Sequence, residues 1–390
     1  MIDLLRPIGL SYSRVKEDFD VSVKRAAVLG CGSGGMTMAV DLGLKGFKVN
    51  LFDFPEYDRN LRAVEERGSV EATGYLEGSV EPDVITTDMA EAVDGADAVF
   101  LAIRAYGAEM FIGEAAKHLA PGQVLLNWSS YLSALRTYRL FKETAPAGAI
   151  LGEGAILPYF VKPVEPGVMH VFGVKAHLWA AAMPSTDTPE MMKVVKEFFP
   201  NCEAARNVLD TSLTNPNLQV HVPPALLNTG LWEKTGGDLE FYGTLMTPKV
   251  AAVMDAVDKE RMAVGKALGL ELLPKPEVLK MEYGQYGVKG ETMYEVYSTF
   301  ASHRSWRPGL SLDDFAARTA FGEDIMYGFV FISTMGDQLG VPTPAIDTMV
   351  GLAQLVIGTD YWGEGATAET IGLKDMSAAQ IIEYVTTGEK

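Results

Sequence analysis

A glycine-rich turn near the start of the chain has the residue types and spacing of a phosphate-binding loop. Gly30, Gly32 and Gly35 form a Gly-x-Gly-x-x-Gly pattern. The first glycine permits a tight turn, the second lets a pyrophosphate approach the backbone, and the third lets helix and strand pack closely. Ser33 and Gly34 complete the turn, where amide groups at a helix start would point at the phosphates. The pattern predicts a dinucleotide-binding site.

An acidic residue stands where such sites contact the ribose. Asp53 ends the next apolar run and lies 18 residues after Gly35, close to the roughly 20 that the motif requires. A carboxylate there accepts hydrogen bonds from ribose hydroxyls and repels a 2′-phosphate, so the sequence favours NAD (NADH) over NADP. Arg59 is near enough in sequence to meet a 2′-phosphate. The alternative is a glycine turn that only packs a helix on a strand.

Histidine is the side chain that most often transfers protons near neutral pH. Structural positions explain three of the five histidines: His118, His170 and His177. His303 lies in a basic loop with Arg304 and Arg307, which suits carboxylate binding. His221 lies in an apolar, proline-broken stretch that also carries polar residues, as expected of a cleft wall. It is the candidate for catalysis, and a buried histidine with satisfied hydrogen bonds is the competing interpretation.

The elements around the glycine turn alternate between strand and helix. Apolar runs predict strands at Arg25–Leu29, Lys48–Phe52, Val84–Thr87, Ala98–Ile103, Val124–Trp128 and Ala149–Gly152. Helices are predicted at Met36–Lys45, Ala105–His118 and Leu132–Lys142. This alternation is typical of an α/β fold with a parallel, doubly wound Rossmann sheet. Ile103 and Arg104, at the end of one predicted strand, join the cofactor-binding candidates.

The pattern changes after Gly154. Met169–Val174 and His177–Ala182 are separated by two residues and predict a hairpin at the sheet edge, followed by a helix at Asp187–Phe199. Beyond residue 207 only helices are predicted, the longest at Pro248–Leu268, Phe315–Leu339 and Ile346–Ile357. We therefore divide the chain into an N-terminal extension (1–24), a Rossmann domain (25–205) and an all-helical domain (206–390).

Composition argues against several functional classes. The chain has 33 Lys and Arg against 51 Asp and Glu, a net charge of −18. Such a surface repels phosphate backbones and anionic lipid, so neither nucleic acid nor membrane is an expected partner. The two cysteines, Cys31 and Cys202, form no disulfide framework and no CxxC metal pair. We expect a cytoplasmic protein without a metal, since no apolar run suits a secretory signal or membrane span.

Several further motifs, in one order along the chain, resemble the NAD-dependent octopine/nopaline, or opine, dehydrogenases. The resemblance runs from Arg25 to about Leu373. Besides the glycine turn it includes Glu153–Tyr159, Asn207–Asn215, His221, Leu226–Asn228, Phe241–Tyr242, Asp258–Arg261, Glu323–Gly328, Gly340–Pro344 and Asp347. A collinear set of motifs is far more specific than the glycine turn alone.

The resemblance implies a Rossmann domain followed by a helical dehydrogenase domain, in a homodimer. It implies reductive condensation, in which an amino acid or amine joins a small 2-oxo acid and NADH reduces the resulting imine. The family's acid/base histidine and its aspartate partner map to His221 and Asp324. An aspartate so placed fixes the histidine tautomer and stabilises the imidazolium. Without the resemblance, Asp324 would be interpreted as a solvated helix residue beside Glu323. Asn228 is a further candidate, for binding substrate.

One departure concerns the arginine that the family often has five residues before the aspartate. This chain has Thr319 there and Arg318 one step earlier. A one-residue shift rotates an α-helical side chain by about 100°, so the arginine clamp for a substrate carboxylate is altered. Arg318 stays a substrate-binding candidate, and Arg304, Arg307 or Lys162 are possible substitutes.

A second departure is the turn after the fifth strand, where an Asn-Pro-Gly-type turn is replaced by residues 127–130, including Trp128. We expect this turn near the nicotinamide or the oxo acid. Both departures indicate changed substrates or lost activity. The alternatives are a 2-oxo-acid or β-hydroxyacid reductase on the same plan, and a nucleotide-binding protein without chemistry.

Overall fold

The computed structural model describes residues 24–304 and 306–390, without the side chains of Ser302 and of residues 318–320. The predicted N-terminal extension thus lies outside the described residues, apart from Lys24. In this part of the chain the strands are β1 Arg25–Leu29, β2 Lys48–Phe52, β3 Val70–Gly74, β4 Gly78–Val80, β5 Val84–Thr86, β6 Ala98–Leu101, β7 Val124–Asn127, β8 Ile150–Gly154, β9 Tyr159–Glu165, β10 Val168–Val174, β11 Leu178–Met183 and β12 Cys202–Ala204.

The main sheet has eight strands in the order β12-β11-β8-β7-β6-β1-β2-β5. All neighbours from β8 to β5 pair in parallel, and β11 adds antiparallel to β8. The strand order reverses at β1, which lies between β2 and β6. In open parallel sheets, ligands bind at such a switch point, beyond the carboxyl ends of the strands. The predicted Rossmann sheet is confirmed.

The predicted hairpin is wrong. Strand β10 belongs to a second, four-stranded sheet in the order β4-β3-β10-β9, whereas β11 pairs with β8 in the main sheet. Between them, Lys175 is buried and donates to Glu282 at 2.8 Å and to Tyr283 at 2.8 Å. The two residues between β10 and β11 are therefore a crossing between sheets, and the hairpin partner of β10 is β9.

Helices cover the main sheet and then form the rest of the chain. The nucleotide-binding half contains α1 Ser33–Leu44, α2 Arg59–Arg67, α3 Met89–Val93, α4 Ala108–Ala116, α5 Ser133–Thr144 and α6 Thr188–Phe198. The helical half contains α7 Val208–Thr214, α8 Asn217–Val220, α9 Val222–Leu226, α10 Thr229–Thr235, α11 Phe241–Thr244, α12 Pro248–Ala267, α13 Lys275–Tyr283, α14 Met293–Thr299, α15 Ala301–Arg304, α16 Leu312–Phe315, α17 Val330–Leu339, α18 Pro344–Ile357, α19 Tyr361–Glu364 and α20 Ala378–Thr387.

The segment predicted as one long helix from Phe315 is helical but not uniform. A π-helix spans Ala316–Phe329 and continues directly into α17. π-Helical turns close by i→i+5 hydrogen bonds and occur frequently at functional sites. This one contains Asp324.

Two apolar cores lie on opposite faces of the main sheet. One face packs on a core that continues into the helical half, which joins the two halves through buried side chains. The other face packs against α1, α6 and the second sheet. Among the described residues, no helix is both long and apolar enough to span a bilayer.

Candidate active site

The glycine turn closes the gap between β1 and α1. The Gly30 amide donates to the Phe52 carbonyl at 2.9 Å, and Gly30 has a φ of +100°. A Cβ on Gly30 would lie 2.6 Å from the Ile103 side chain, and one on Gly35 would overlap the Gly30 carbonyl oxygen. A Cβ on Gly32 would meet no protein atom within 4 Å. The first and third glycines thus allow packing, while the second faces open space that a pyrophosphate fits.

Asp53 follows β2 and faces the glycine turn. One carboxylate oxygen accepts from the Cys31 amide at 2.8 Å and the other from the Phe54 amide at 3.0 Å. Burial raises the pKa of Asp53 to about 6, against the lowering effect of the two amides. The carboxylate is therefore ionised at neutral pH and retains lone pairs for ribose hydroxyls. Burial and the Asp53 charge raise the pKa of the Cys31 thiol, which argues against a reactive cysteine.

The end of β6 carries Ile103 and Arg104 across the switch point from the glycine turn. Arg104 is paired with the helical half: its guanidinium donates to Glu323 at 2.9 Å, and the Ala105 amide donates to the same carboxylate at 2.7 Å. The Arg104 side chain is still 48% exposed, and Glu323 is buried. Arg104 thus ties the end of β6 to the π-helix residue beside Asp324.

The structure brings His221 and Asp324 together. His221 lies at the junction of α8 and α9, and its Nδ1 is 2.8 Å from a carboxylate oxygen of Asp324. The imidazole is 13% exposed, whereas the carboxylate is 1% exposed. Burial raises the pKa of Asp324, and the nearby His221 opposes this. A proton on Nδ1 suits this hydrogen bond and leaves Nε2 for proton exchange with a ligand.

The second oxygen of Asp324 accepts a hydrogen bond at 2.5 Å from Tyr131, in the turn after β7. Ser130, Tyr131 and Leu132 have φ values of 60°, 57° and 60°. Each non-glycine residue in this left-handed region costs roughly 1–3 kcal/mol. The buried Ser212 hydroxyl compensates by accepting from the Leu132 amide at 2.6 Å. This strained turn delivers a hydroxyl from the nucleotide-binding half to the carboxylate.

Glu153, at the end of β8, anchors the same turn. One of its oxygens accepts from Thr211 at 2.8 Å and Ser212 at 2.5 Å, and the other accepts from the Ala134 amide at 3.0 Å and Ser133 at 3.2 Å. Burial raises its pKa, and the Ser212 hydrogen bond opposes that shift. Glu153 therefore joins the start of α5 to α7, the first helix of the helical half.

Three buried charged residues fix the loop that leads into His221. The Arg261 guanidinium donates to the carbonyl of residue 213 at 2.9 Å. The Lys275 ammonium donates to the carbonyls of residues 214 and 215 at 2.7 and 2.8 Å. Asp258 accepts from the Arg261 guanidinium at 2.8 Å and from the Lys275 amide at 2.9 Å. The Asp258–Arg261 motif and Lys275 thus hold the backbone six to eight residues before His221.

Aromatic rings surround the His221 imidazole. Phe241, Phe315 and Tyr242 have ring centroids 6.1, 6.3 and 6.5 Å from that of His221. Trp306 continues this wall, 5.2 Å from Phe241 and 5.7 Å from Tyr242. Apolar rings lower the local dielectric constant, which strengthens the electrostatic interaction between His221 and Asp324.

The structure gives the candidate substrate ligands various environments. The Asn228 amide donates to the Pro224 carbonyl at 2.8 Å, and Arg307 donates to Asp238 at 2.7 Å. Arg304 is exposed, and its guanidinium donates to a backbone carbonyl at 3.4 Å. The Arg318 side chain is outside the described residues.

The histidines assigned structural roles have polar neighbours: His118 lies by Glu114, His170 by Thr73 and His177 by Glu203.

The turn at residues 127–130, which we expected near the nicotinamide or the oxo acid, contains the fully buried Trp128. Trp128 packs its ring 5.0 Å from Phe199 and against Gly154, inside the core of the nucleotide-binding half. The residue of this region that reaches the acid/base pair is Tyr131, which sequence reasoning missed. A useful signal was available, since side chains just beyond the carboxyl end of a parallel strand commonly line the ligand crevice.

Two family profiles match the two halves of the chain. A profile described as NAD-dependent glycerol-3-phosphate dehydrogenase N-terminus matches residues 25–144. A second, described as NAD/NADP octopine/nopaline dehydrogenase, alpha-helical domain, matches residues 204–357. Their order along the chain is the order of the Rossmann and helical halves described above.

Whole-chain similarity leads to the same family. An opine dehydrogenase of Arthrobacter sp. (strain 1C) is 31% identical over 363 residues, covering 93% of this chain and 98% of that protein. A structure of octopine dehydrogenase with NADH and agmatine is 20% identical with a TM-score of 0.72, covering 94% and 98%. Yersinopine dehydrogenase with bound NADP⁺ is 17% identical with a TM-score of 0.62, covering 94% and 99%. The chain belongs to the opine dehydrogenase family of NAD-dependent oxidoreductases.

Proposed function

We propose that this enzyme condenses an amino acid or amine with a small 2-oxo acid and reduces the product with NADH, using His221 as the acid/base. The observation that carries the proposal is the contact between the partly exposed His221 and the buried Asp324, at 2.8 Å. A buried carboxylate on Nδ1 fixes the tautomer and stabilises the imidazolium, so Nε2 can give and take a proton. Such transfer contributes roughly 10²–10⁴ in rate.

The chemistry balances with one acid/base group. The amine nitrogen attacks the carbonyl carbon, the carbonyl oxygen takes a proton from His221, and the attacking nitrogen returns a proton to His221. His221 then protonates the hydroxyl of the carbinolamine, which leaves as water and gives the protonated imine. NADH, when bound, supplies the hydride that reduces the imine carbon. The products are a secondary amine dicarboxylate (when the amine is an amino acid), NAD⁺ and water, and His221 regains one proton from solvent. Asp324 orients His221, and Tyr131 holds the other oxygen of Asp324.

Cofactor contacts are proposed on the same basis. Gly30, Gly32 and Gly35, with Ser33 and Gly34, would hold the pyrophosphate at the start of α1, an arrangement supported by the open space at Gly32. Asp53 would bind the ribose hydroxyls, and its ionised carboxylate disfavours a 2′-phosphate. Ile103 and Arg104 would border the nicotinamide end, because they follow β6 at the switch point.

We also propose a homodimer in the cytoplasm. Helix α18 presents Leu355 with 86% of its surface exposed. Both cysteines are free and buried, which suits a reducing compartment. Sedimentation of the protein and of Leu355→Glu would test the dimer, and cell fractionation would test the location.

The deciding experiment follows NADH oxidation by absorbance with a panel of 2-oxo acids, each with and without a panel of amino acids. Oxidation that needs both partners supports reductive condensation. Oxidation with the oxo acid alone would instead indicate a 2-oxo-acid reductase. His221→Ala should abolish turnover and retain NADH binding, whereas His118→Ala, at an exposed helix end, should retain full activity.

A further inference from the structure

A lysine in the second sheet has an unusual environment. Lys162 is half-buried on β9, and among residues 24–304 and 306–390 it forms no hydrogen bond or ion pair with a carboxylate. Its ammonium instead lies 4.1 Å from the ring centroid of Trp306 and 6.0 Å from that of Phe160. A cation held between aromatic rings without an anion has lost water that only weak interactions replace.

The rings around Lys162 belong to the wall that surrounds His221. Trp306 lies 5.2 Å from Phe241, which in turn lies 6.1 Å from His221. On the other side, the ring centroid of Phe160 lies 3.9 Å from that of His303, with the two rings tilted against each other. The four-stranded sheet therefore contributes Phe160 and Lys162, two positions apart on one face of β9, to the aromatic cleft of the helical half.

Burial and neighbouring positive groups lower the pKa values of Lys162 and His303. Burial lowers the pKa of Lys162 to about 8, and the positive charge of Arg104 adds to that effect. The pKa of His303 is held well below its usual range by burial and by Lys175, Lys162 and His221. Arg104, Lys175 and His221 each have a carboxylate partner, whereas no carboxylate of the described residues pairs with the Lys162 ammonium.

We propose that Lys162 is the carboxylate anchor of the substrate site, holding a substrate carboxylate against Trp306 while His221 acts on the reacting carbon. This deepens the proposed function and rests on it, because both products and reactants of the condensation carry carboxylates. A bound carboxylate supplies the anion that the ammonium lacks, and hydrogen bonds between charged groups are about twice as strong as neutral ones. The anchor takes the place of the arginine absent at Thr319.

The carboxylate has two possible sources, the 2-oxo acid and the amino acid. Both present the same group to the ammonium, so the binding test uses a probe that carries it twice. Iminodiacetate is the common core of secondary amine dicarboxylates and needs no turnover. Titration calorimetry of the NADH-loaded enzyme with iminodiacetate therefore measures the anchor even if the condensation is never observed.

The key variant is Lys162→Met, which removes the charge and keeps most of the side-chain volume. We expect iminodiacetate to bind the wild-type enzyme and to lose roughly 10- to 100-fold in affinity in Lys162→Met, with NADH affinity unchanged. Lys48→Met, at an exposed position on β2, removes the same charge from a strand outside the cleft and should change neither affinity. Retained NADH binding shows that Lys162→Met has folded.

Lys162→Arg separates a charge role from a packing role. It should keep most of the affinity at neutral pH, because it keeps the cation. The wild-type affinity should fall relative to that of Lys162→Arg as the pH rises above about 8, since the lysine loses its proton there and an arginine does not. The ratio between the two proteins cancels every pH effect that they share, while Arg104 stays charged throughout.

Steady-state kinetics then assigns the source. If Lys162 holds the amino-acid carboxylate, Lys162→Met raises the KM of the amino acid and removes the preference for it over its decarboxylated amine. If Lys162 holds the oxo acid, the KM of the oxo acid rises and the preference over the corresponding aldehyde falls. The proposal is overturned if Lys162→Met binds iminodiacetate as the wild type does, or if only NADH binding weakens. Absence of amine-dependent turnover in the wild type would refute the proposed function alone.

Discussion

Replacing Asp324 by asparagine tests the acid/base pair most directly, because it removes one charge and little else. The asparagine oxygen can still accept from His221, and the Tyr131 hydroxyl can rotate to accept from the new amide. The imidazolium that forms during proton transfer would then lack its counter-charge. Any loss of rate can be assigned to that charge if the protein stays folded.

The size of the effect follows from the geometry. A carboxylate and an imidazolium with charges about 4 Å apart attract by roughly 4 kcal/mol at an effective dielectric constant of about 20. A neutral hydrogen bond keeps about half of a charge-assisted one, so we expect a loss of roughly 2–4 kcal/mol. That corresponds to a fall in kcat of about 30- to 1000-fold, with NADH affinity unchanged.

The thermal stability of Asp324→Asn should increase or stay unchanged, although its kcat falls. Burial raises the pKa of Asp324 above its unfolded value, so the ionised group lowers the free energy of unfolding at neutral pH. Asparagine removes that cost, and the Tm of Asp324→Asn should equal or exceed that of the wild type.

The assay is initial-rate NADH oxidation with both substrates saturating. Tyr131→Phe is the matched control, because it removes the other hydrogen bond to the same carboxylate and keeps the charge. Its loss should be roughly three- to tenfold, near the ~1 kcal/mol of one hydrogen bond. A kcat for Asp324→Asn within threefold of the wild type would refute the electrostatic reasoning. So would a lower kcat that is explained entirely by unfolding of the variant.

Three further predictions concern the cofactor site and the strained turn. Gly35→Ala should prevent folding or NADH binding, because its Cβ would overlap the Gly30 carbonyl; Gly32→Ala should retain the wild-type Tm and bind NADH more weakly, as thermal denaturation and fluorescence titration would show. The NADH Kd should rise as the pH falls through about 6, where Asp53 takes up a proton and loses acceptors for the ribose; an unchanged Kd between pH values of about 5 and 7 would contradict that role. Ser212→Ala removes one of the four hydrogen bonds to the buried Glu153 carboxylate and leaves the buried Leu132 amide without its partner, so it should lower the free energy of unfolding by roughly 1–3 kcal/mol in urea titrations.

Local patterns explain why much of the nucleotide-binding half could be predicted. Neighbouring atoms leave no room for a side chain at Gly30 or Gly35, and the apolar runs around the turn are strands buried on both faces. The second sheet could not be predicted in this way. Its strands β3 and β10 pair across most of the nucleotide-binding half, and β4 has only three residues. Pairing between distant short strands leaves almost no periodic signal in the sequence.

Residue type alone predicted part of the candidate site. His221 stood out by its neighbours, but Asp324 needed the family resemblance, because adjacent acidic residues in a helix usually face solvent. The π-helix and the left-handed turn explain this difficulty. Both are irregular backbone that tertiary packing imposes, and they turn Asp324 inward and bring Tyr131 to it. Propensity does not predict such segments.

The four-stranded sheet has a consequence for how this enzyme could acquire new substrates. The glycine turn rests on the main sheet, His221 and Asp324 rest on the helical half, and Lys162 and Phe160 rest on β9, a strand hydrogen-bonded in a different sheet. Mutations that accumulate on β9 and β10 can therefore alter which molecules enter the cleft while the cofactor turn and the acid/base pair keep their supports. A duplicated gene could drift to a new pair of substrates by substitutions on one hairpin, and directed evolution of this enzyme would start with randomised positions there.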